Sequence, residues 1–199
     1  MDELYEARNS IYCYPNSNVL INKLDLKNAK RLEKAEKMIV LAKLYDLRQG
    51  KIKGNFDKAH FISIHKYLFE DLYPFAGEFR KENIAKDSFS FAEWEFIESE
   101  LDRLLIKLKE ENYLKGLNQE DMAKRLSFYM SELNVLHPFR EGNGRVIREF
   151  IRELAFKNEY IIDYTKTTSQ ELLDAMKISV IDETDLAGII YKCLEKRND

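Results

Sequence analysis

The chain is poor in cysteine and carries only a small net charge. Its 199 residues include two cysteines, Cys13 and Cys193, near opposite ends of the sequence. That placement gives neither a zinc-ligand spacing nor a disulfide framework, and it is typical of a protein in a reducing cytosol. A net charge of −3 argues against direct nucleic-acid binding, because neutralising phosphates requires a basic surplus or a basic face.

Long apolar runs are missing as well. No stretch approaches the roughly 18 apolar residues of a membrane span. Residues 1–10 show no basic region followed by an apolar run, so no signal peptide is expected. We therefore predict a cytoplasmic protein without a membrane segment, and secretion as an effector is the alternative.

Proline and glycine are scarce, with three and seven residues respectively. The remaining sequence has long stretches of Leu, Ile, Phe, Lys and Glu, which favour helices. Asn28 and Asn118 each precede such a stretch and are suitable N-caps. Helices are predicted over residues 28–48, 56–72, 92–109, 119–136, 144–157, 168–180 and 184–196.

Residues 77–91, GEFRKENIAKDSFSF, break the helical pattern. Apolar residues stand there among charged and polar neighbours, which indicates a β-hairpin or extended flap. No repeat or linker interrupts the chain. We predict an all-α helical bundle with a short β-hairpin flap at about 77–91. It forms a single domain over 1–199, with an N-terminal helical region at about 1–50 and a core at about 51–199.

The nine residues HPFREGNGR, 137–145, have the composition of a phosphate site. Gly142 and Gly144 let the backbone approach a ligand closely or adopt a positive φ. The helix that follows begins with unpaired N–H groups at the positive end of its dipole, so an anion nest is predicted. Arg145 and Arg148 share one helix face and would point at the same anion. The opposite face carries core residues: Val146, Ile147, Phe150, Ile151 and Leu154.

A carboxylate and an imidazole stand beside this nest. Glu141 would be repelled by phosphate unless a cation lay between them, and Mg²⁺ needs only one or two protein carboxylates. His137 titrates near neutrality and can remove a proton from an incoming hydroxyl. Each part alone is ordinary turn, cap or surface chemistry, but together they predict phosphoryl or nucleotidyl transfer to a hydroxyl. The GxxxxGK(S/T) pattern of a Walker loop is absent.

Residues 137–148, HPFREGNGRVIR, resemble the signature HxFx(D/E)GNGRxxR of the Fic family (filamentation induced by cAMP). Every defined position matches: His137, Phe139, Glu141, Gly142, Asn143, Gly144, Arg145 and Arg148. The resemblance implies an α-helical core with a β-hairpin flap. It also implies the transfer of AMP from ATP to a hydroxyl of a target protein.

The same resemblance implies a role for each motif residue. His137 deprotonates a Ser, Thr or Tyr hydroxyl of the target, and Glu141 binds Mg²⁺. The α- and β-phosphates of ATP are held by Gly142, Asn143 and Gly144.

Further roles are implied behind the phosphates. Arg145 binds the β/γ end of the nucleotide, and Arg148 supports that arrangement. Phe139 is a core plug that fixes the loop. Asn134, in SELNVLHPF, is an orienting residue near the loop.

Residues 73–91, YPFAGEFRKENIAKDSFSF, resemble the flap on which a target segment adds as an extra strand. Backbone pairing of this kind would dock a target protein without demanding a particular sequence. Lys86 lies where family members often carry a flap lysine, and a solvated hairpin charge is the alternative. His60 and His65 match no family residue and are interpreted as packed or solvated.

Regulation by a second protein is implied by the N-terminal region. Residues 12–36 resemble the start of bacterial Fic toxins that a small separate antitoxin restrains. The inhibitory helix of the family carries (S/T)xxxE(G/N), whose glutamate pairs with the second motif arginine, here Arg148. Thr167–Glu171 and Ser179–Glu183 match only (S/T)xxxE and lack the final Gly or Asn. We therefore expect an antitoxin with the full motif.

The sequence thus predicts a toxin-like protein adenylyltransferase that uses ATP and Mg²⁺. One alternative is a phosphotransferase, or another nucleotidyl or phosphodiester transferase, of the same fold. Relatives that phosphorylate carry lysine at the second glycine of the motif, so Gly144 argues against that alternative. A catalytically silent nucleotide-binding module is the other, and the intact motif argues against it.

Overall fold

The computed structural model describes residues 10–86 and 89–197. Over these residues the backbone forms seven α-helices and four short strands, so the prediction of an all-α fold is confirmed. The described chain groups into two compact units. No helix within the described ranges is both long and apolar enough to cross a bilayer.

The first unit contains the described residues up to Ser99, together with His137–Asn143. Its helices begin where side chains cap them. Asn28 accepts a hydrogen bond from the Arg31 N–H at 3.1 Å, as predicted, and Asp57 accepts one from the His60 N–H at 2.8 Å. The elements are α1 (Ala29–Arg48), α2 (Lys58–Phe69), β1 (Ala85–Lys86) and β2 (Phe89–Ser90).

The helix α1 carries apolar residues on more than one face. Leu32, Val40 and Leu47 are buried, whereas large apolar residues on the outer face are 66–71% exposed: Met38, Leu41 and Tyr45. Before α1, residues 10–28 form turns with one isolated bridge between Cys13 and Leu20. The helical part of the N-terminal region is therefore α1. Residues 1–9 of the predicted region lie outside the described residues.

The predicted flap contains a hairpin that is shorter than expected. β1 pairs antiparallel with β2, with Ala85 opposite Ser90 and Lys86 opposite Phe89. The Phe91 N–H extends this pairing by donating to the Ile84 carbonyl at 3.2 Å. Residues 87 and 88 lie outside the described residues. The rest of 77–91 is turn and irregular chain.

The second unit contains Glu100–Leu136 and the described residues from Gly144 onward. Its apolar core includes Leu101 and Leu108 of one helix and Leu126 and Leu133 of the next, all with 0% exposure. Its elements are α3 (Ile97–Glu110), α4 (Gln119–Leu136), α5 (Asn143–Lys157), β3 (Tyr160–Ile162), α6 (Ser169–Ile178), α7 (Thr184–Cys193) and β4 (Leu194–Lys196), where α3 and α5 begin in the first unit.

The end of the chain corrects the prediction of a helix over 184–196. The helix α7 stops at Cys193, and the next three residues form β4, which pairs antiparallel with β3. Ile162 lies opposite Leu194 in this pair, and the Asp163 N–H donates to the Cys193 carbonyl at 2.8 Å. Because a strand needs a partner, the distant β3 decides the outcome here, and local helix propensity does not.

Candidate active site

The motif loop begins at His137 with a strained backbone. Its φ is +45°, a left-handed conformation that costs an L-residue on the order of 1–2 kcal/mol. The residue is 3% exposed, its carbonyl accepts a hydrogen bond from Arg80 Nε at 2.9 Å, and its ring stacks on Phe91 with centroids 3.8 Å apart. Contacts of the backbone and of the ring therefore both hold the candidate base.

Asn143 closes the loop with its side chain. Its Nδ2 donates to the Phe139 carbonyl, and its Oδ1 accepts from the Phe139 N–H, both at 2.8 Å. Asn143 has 0% exposure, so this amide is committed to the loop. What Asn143 can offer to a phosphate is its backbone N–H, because its side chain is used to shape the turn.

Phe139 fills the inside of the loop, in the position expected of a core plug. It has 0% exposure, and its ring stacks on His65 with centroids 3.7 Å apart and on Phe61 at 5.6 Å. The centroid of the Phe79 ring lies 5.7 Å from that of Phe139. The loop is thus anchored in the aromatic core of the first unit.

His65 is a residue of this site that sequence reasoning missed. Its Nδ1 accepts from the Gly77 N–H at 2.8 Å, and its Nε2 lies 3.1 Å from the Glu141 carbonyl. An acceptor role for Nδ1 places the proton on Nε2, which therefore donates to that carbonyl. His65 joins the start of the flap to the loop and is packed, with 0% exposure. His60 is also buried, against Phe56.

Gly142 adopts the conformation that an anion nest requires. Its φ is +81°, and a Cβ at this position would lie 2.2 Å from the ring of Phe69. Phe69 has 0% exposure and stands beside the His65 ring at 4.9 Å, so the ring has no room to move. Both the backbone conformation and the close approach exclude a side chain here.

Glu141 is the acidic residue of the loop and is half-buried. Its Oε1 accepts from the Gly142 N–H at 2.9 Å, which holds the carboxylate beside the nest. No group of three or more His, Cys, Asp or Glu side chains in the described chain could hold a metal by itself. Mg²⁺ fits this donor set, because it is commonly bound by one carboxylate together with substrate phosphates and water.

The first two turns of α5 carry the remaining motif residues. A Cβ on Gly144 would lie 3.2 Å from Arg148 Nη1, so the guanidinium of Arg148 lies over the first turn. Burial raises the pKa of the Tyr164 hydroxyl, and the positive charge of Arg148 is the next strongest influence and opposes the rise. Arg145 and Arg148 are half-buried. The predicted core face of α5 is confirmed, with 0% exposure of Val146, Ile147, Phe150, Ile151 and Leu154.

Two further arginines connect the loop to the segment before the flap strands. Arg80 is 1% exposed, and its backbone N–H donates to the Pro138 carbonyl at 2.9 Å. Arg140 is 5% exposed, and its Nε donates to Glu82 Oε1 at 2.9 Å. The motif leaves position 140 undefined and does not include position 80. It therefore gave no signal for either residue.

The two residues proposed outside the motif lie on different elements. Lys86 is half-buried on β1 of the first unit, and Asn134 is half-buried on α4 of the second. Their positions agree with the predicted flap and pre-loop helix. Their roles stay predictions.

Comparison with known proteins gives a family match around the loop. A model of the Fic/DOC family matches residues 55–155. The protein adenylyltransferase VbhT of Bartonella schoenbuchensis is 39% identical over 188 residues, which are 94% of this chain and 39% of VbhT. The probable protein adenylyltransferase Fic of Salmonella typhimurium is 34% identical over 163 residues, which are 82% of this chain and 80% of that protein. The chain thus spans less than half of VbhT.

Solved structures share the fold. BepC, an effector of Bartonella tribocorum solved with bound AMPPNP, has a TM-score of 0.89 at 24% identity, covering 94% of this chain and 97% of that one. The N-terminal Fic domain of an effector from Bartonella quintana, solved with bound ADP, has a TM-score of 0.87 at 25% identity. That match covers 94% of this chain and 95% of the other.

Replacing Gly142 by alanine tests how tightly the nest is built. Gly116 is a matched control, because its φ is +83° but nothing lies within 4 Å of an added Cβ. Both substitutions carry the left-handed strain, and only Gly142→Ala adds overpacking against Phe69. We expect Gly142→Ala to lower the free energy of unfolding by about 1–3 kcal/mol more than Gly116→Ala in urea titrations. Equal losses would contradict the close packing.

Proposed function

This chain belongs to the Fic/DOC family, and on that premise we propose that it is a protein adenylyltransferase. It transfers AMP from ATP to a Ser, Thr or Tyr hydroxyl of a target protein. The observation that carries the proposal is the complete motif, whose loop is held in shape by buried contacts to Phe139 and Glu141. Relatives that share most of their length with this chain are named for the same activity.

ATP binds at the nest. The positive φ of Gly142 turns the loop so that backbone N–H groups at the start of α5 can face the phosphates. Gly142, Asn143 and Gly144 hold the α- and β-phosphates: Gly142 turns the backbone at positive φ, and the backbone N–H groups of Asn143 and Gly144 face the phosphate oxygens. Arg145 holds the β/γ end as a planar donor suited to phosphate oxygens, and Arg148 supports it.

Glu141 would hold Mg²⁺ together with the phosphates. The bound ion would neutralise negative charge on the phosphate oxygens as it builds up during transfer. The hydrogen bond from the Gly142 N–H to Oε1 orients the carboxylate toward the nest. One protein carboxylate is sufficient, because phosphate and water oxygens complete the shell of this ion.

Transfer proceeds by direct displacement at the α-phosphorus. His137 takes the proton of the target hydroxyl, whose oxygen forms a new bond to that phosphorus. The bond from the α-phosphorus to the oxygen that bridges to the β-phosphate breaks, and pyrophosphate leaves. The products are AMP esterified to the target and pyrophosphate, which distinguishes this reaction from phosphotransfer, where ADP would leave.

Labelled ATP separates the two reactions. In the presence of Mg²⁺ and a bacterial lysate, we expect label from α-labelled ATP on a target band and none from γ-labelled ATP. The His137→Ala variant should lose this labelling by about 10²–10⁴-fold, the usual contribution of a general base, while MgATP affinity stays comparable to wild type and circular dichroism shows a folded protein. Transfer of γ-label, or wild-type labelling by the variant, would contradict the proposal.

The metal role of Glu141 predicts a changed Mg²⁺ dependence. Glu141→Ala removes the carboxylate but leaves His137 in place. We expect a much higher Mg²⁺ concentration for half-maximal α-label transfer, measured at fixed ATP. Arg145→Ala, which removes a phosphate donor, should weaken nucleotide binding and leave that Mg²⁺ midpoint comparable to wild type. An unchanged midpoint in Glu141→Ala would show that another group holds the ion.

Target and regulator are proposed from the same family pattern. A target segment docks on the flap by pairing with its hairpin. A small antitoxin bearing (S/T)xxxE(G/N) contacts the region around residues 12–30 and pairs its glutamate with Arg148. The helix α1 follows this region in the chain and carries exposed apolar residues that support a protein partner: Met38, Leu41 and Tyr45. We propose a cytoplasmic, toxin-like role, with secretion as the alternative.

The two glutamates that could act in cis lie at the starts of helices α6 and α7. Glu171 forms the capping box of α6 and accepts from the Thr168 N–H at 2.8 Å. Glu183 precedes α7, where burial first and then the charge of Glu132 raise its pKa. The capping bonds of Glu171 favour inhibition by a separate protein.

Glycine substitution of each glutamate tests this regulation. We expect Glu171→Gly and Glu183→Gly, made separately, to leave autolabelling of the isolated protein at the wild-type rate, because neither carboxylate restrains Arg148. The readout is α-label incorporation over time at equal folded fraction, checked by circular dichroism. A sharp rise in either variant would mean that the chain inhibits itself.

A further inference from the structure

The base of the flap contacts the candidate catalytic histidine at two points, through the side chains of Arg80 and Phe91. We propose that these two are positioning residues, which fix His137 and couple its orientation to the strand on which a target docks. The inference rests on the proposed function, in which His137 is the base. It adds a mechanical role to a flap otherwise expected only to bind the target.

Arg80 holds three carbonyl groups with one guanidinium. Its Nε donates to the His137 carbonyl at 2.9 Å and its Nη1 to the Glu82 carbonyl at 2.7 Å. Its Nη2 donates to the carbonyl of Ala92. Glu82 precedes β1 and Ala92 follows β2. The two ends of the hairpin and the backbone of the base therefore meet at one rigid, planar group.

Phe91 holds the imidazole itself. Its ring is stacked on that of His137 at an interplanar angle of 27°. The backbone of Phe91 continues the hairpin through its hydrogen bond to Ile84, and Phe89 contacts the Phe91 ring edge-on at 5.2 Å. Any shift of β2 would therefore move the surface against which the imidazole rests.

Such contacts matter because the base must meet the target hydroxyl within hydrogen-bonding distance. His137 has a left-handed backbone, so the direction of its side chain depends on what holds its carbonyl. A target strand that pairs with the hairpin would shift β1 or β2. Arg80 and Phe91, which contact His137, would pass that shift to the catalytic residue. Docking on the flap and alignment of the base thus become one event.

Conservative variants separate positioning from folding. Arg80→Lys keeps the charge, but an ammonium cannot span three carbonyls in one plane. Phe91→Leu removes the aromatic face, and Phe91→Trp restores one. Arg125→Lys is the matched control, since Arg125 makes a comparable two-point contact to Glu111, at 2.6 and 2.9 Å, within the second unit.

We expect Arg80→Lys and Phe91→Leu to slow α-label transfer by about 10²-fold, the scale of a misplacement near 1 Å, with unchanged MgATP affinity by calorimetry. Phe91→Trp should recover most of the rate, and Arg125→Lys should stay at the wild-type rate. Transfer in both test variants at the wild-type rate would overturn the inference. So would a loss fully explained by weaker MgATP binding or by a smaller folded fraction.

A measurement that needs no activity distinguishes failure of this inference from failure of the proposed function. In NMR spectra of the protein without nucleotide, the imidazole Hε1 signal of His137 reports the orientation of the ring. We expect Arg80→Lys to shift this signal, because loss of the hydrogen bond to the His137 carbonyl lets the residue and its ring turn. Arg125→Lys should leave the signal in place. An unshifted signal in Arg80→Lys overturns the positioning role. A wild-type protein that transfers no AMP overturns the proposed function alone.

Discussion

The two hydrogen bonds between the Asn143 side chain and the backbone of Phe139 are the contact on which the rest of the site depends. They close the motif into a loop whose inside is filled by the Phe139 ring and whose turn is completed by Gly142 at positive φ. An amide can satisfy a donor and an acceptor of one residue at once, and a buried loop needs both satisfied. The shape of the loop that we propose to bind phosphate is therefore a property of the fold.

The groups that we propose to perform the chemistry are few, and they are held by residues for which no chemical step is proposed. The imidazole of His137 rests on Phe91, and the carbonyl of Glu141 is held by His65. Buried polar groups of this kind are costly to leave unpaired, so each bond that orients the loop also stabilises the first unit. Preorganised donors need no rearrangement when charge develops in the transition state.

Much of this could be predicted from the sequence, because the informative signals are local. The caps at Asn28 and Asn118 and the burial of the α5 core face follow from residues three or four positions apart in the chain. What escaped prediction depends on distant partners. The helix α7 ends and β4 begins because β3 pairs with β4, and the role of His65 depends on its hydrogen bonds with Gly77 and Glu141. A histidine among the buried apolar residues of α2 was the available sign, since such a group needs hydrogen-bond partners.

We infer that the proposed phosphate site exists before the nucleotide arrives. Crystal structures of the protein with and without Mg²⁺ and a non-hydrolysable ATP analogue test it directly. We expect the backbone of residues 137–143 to superpose within about 1 Å between the two states, as in other preorganised complexes, with positive φ at His137 and Gly142 and both Asn143 bonds in each. A loop that forms the Asn143 bonds or the positive φ of Gly142 only when nucleotide is bound would show that the nucleotide, and not the fold, shapes the site.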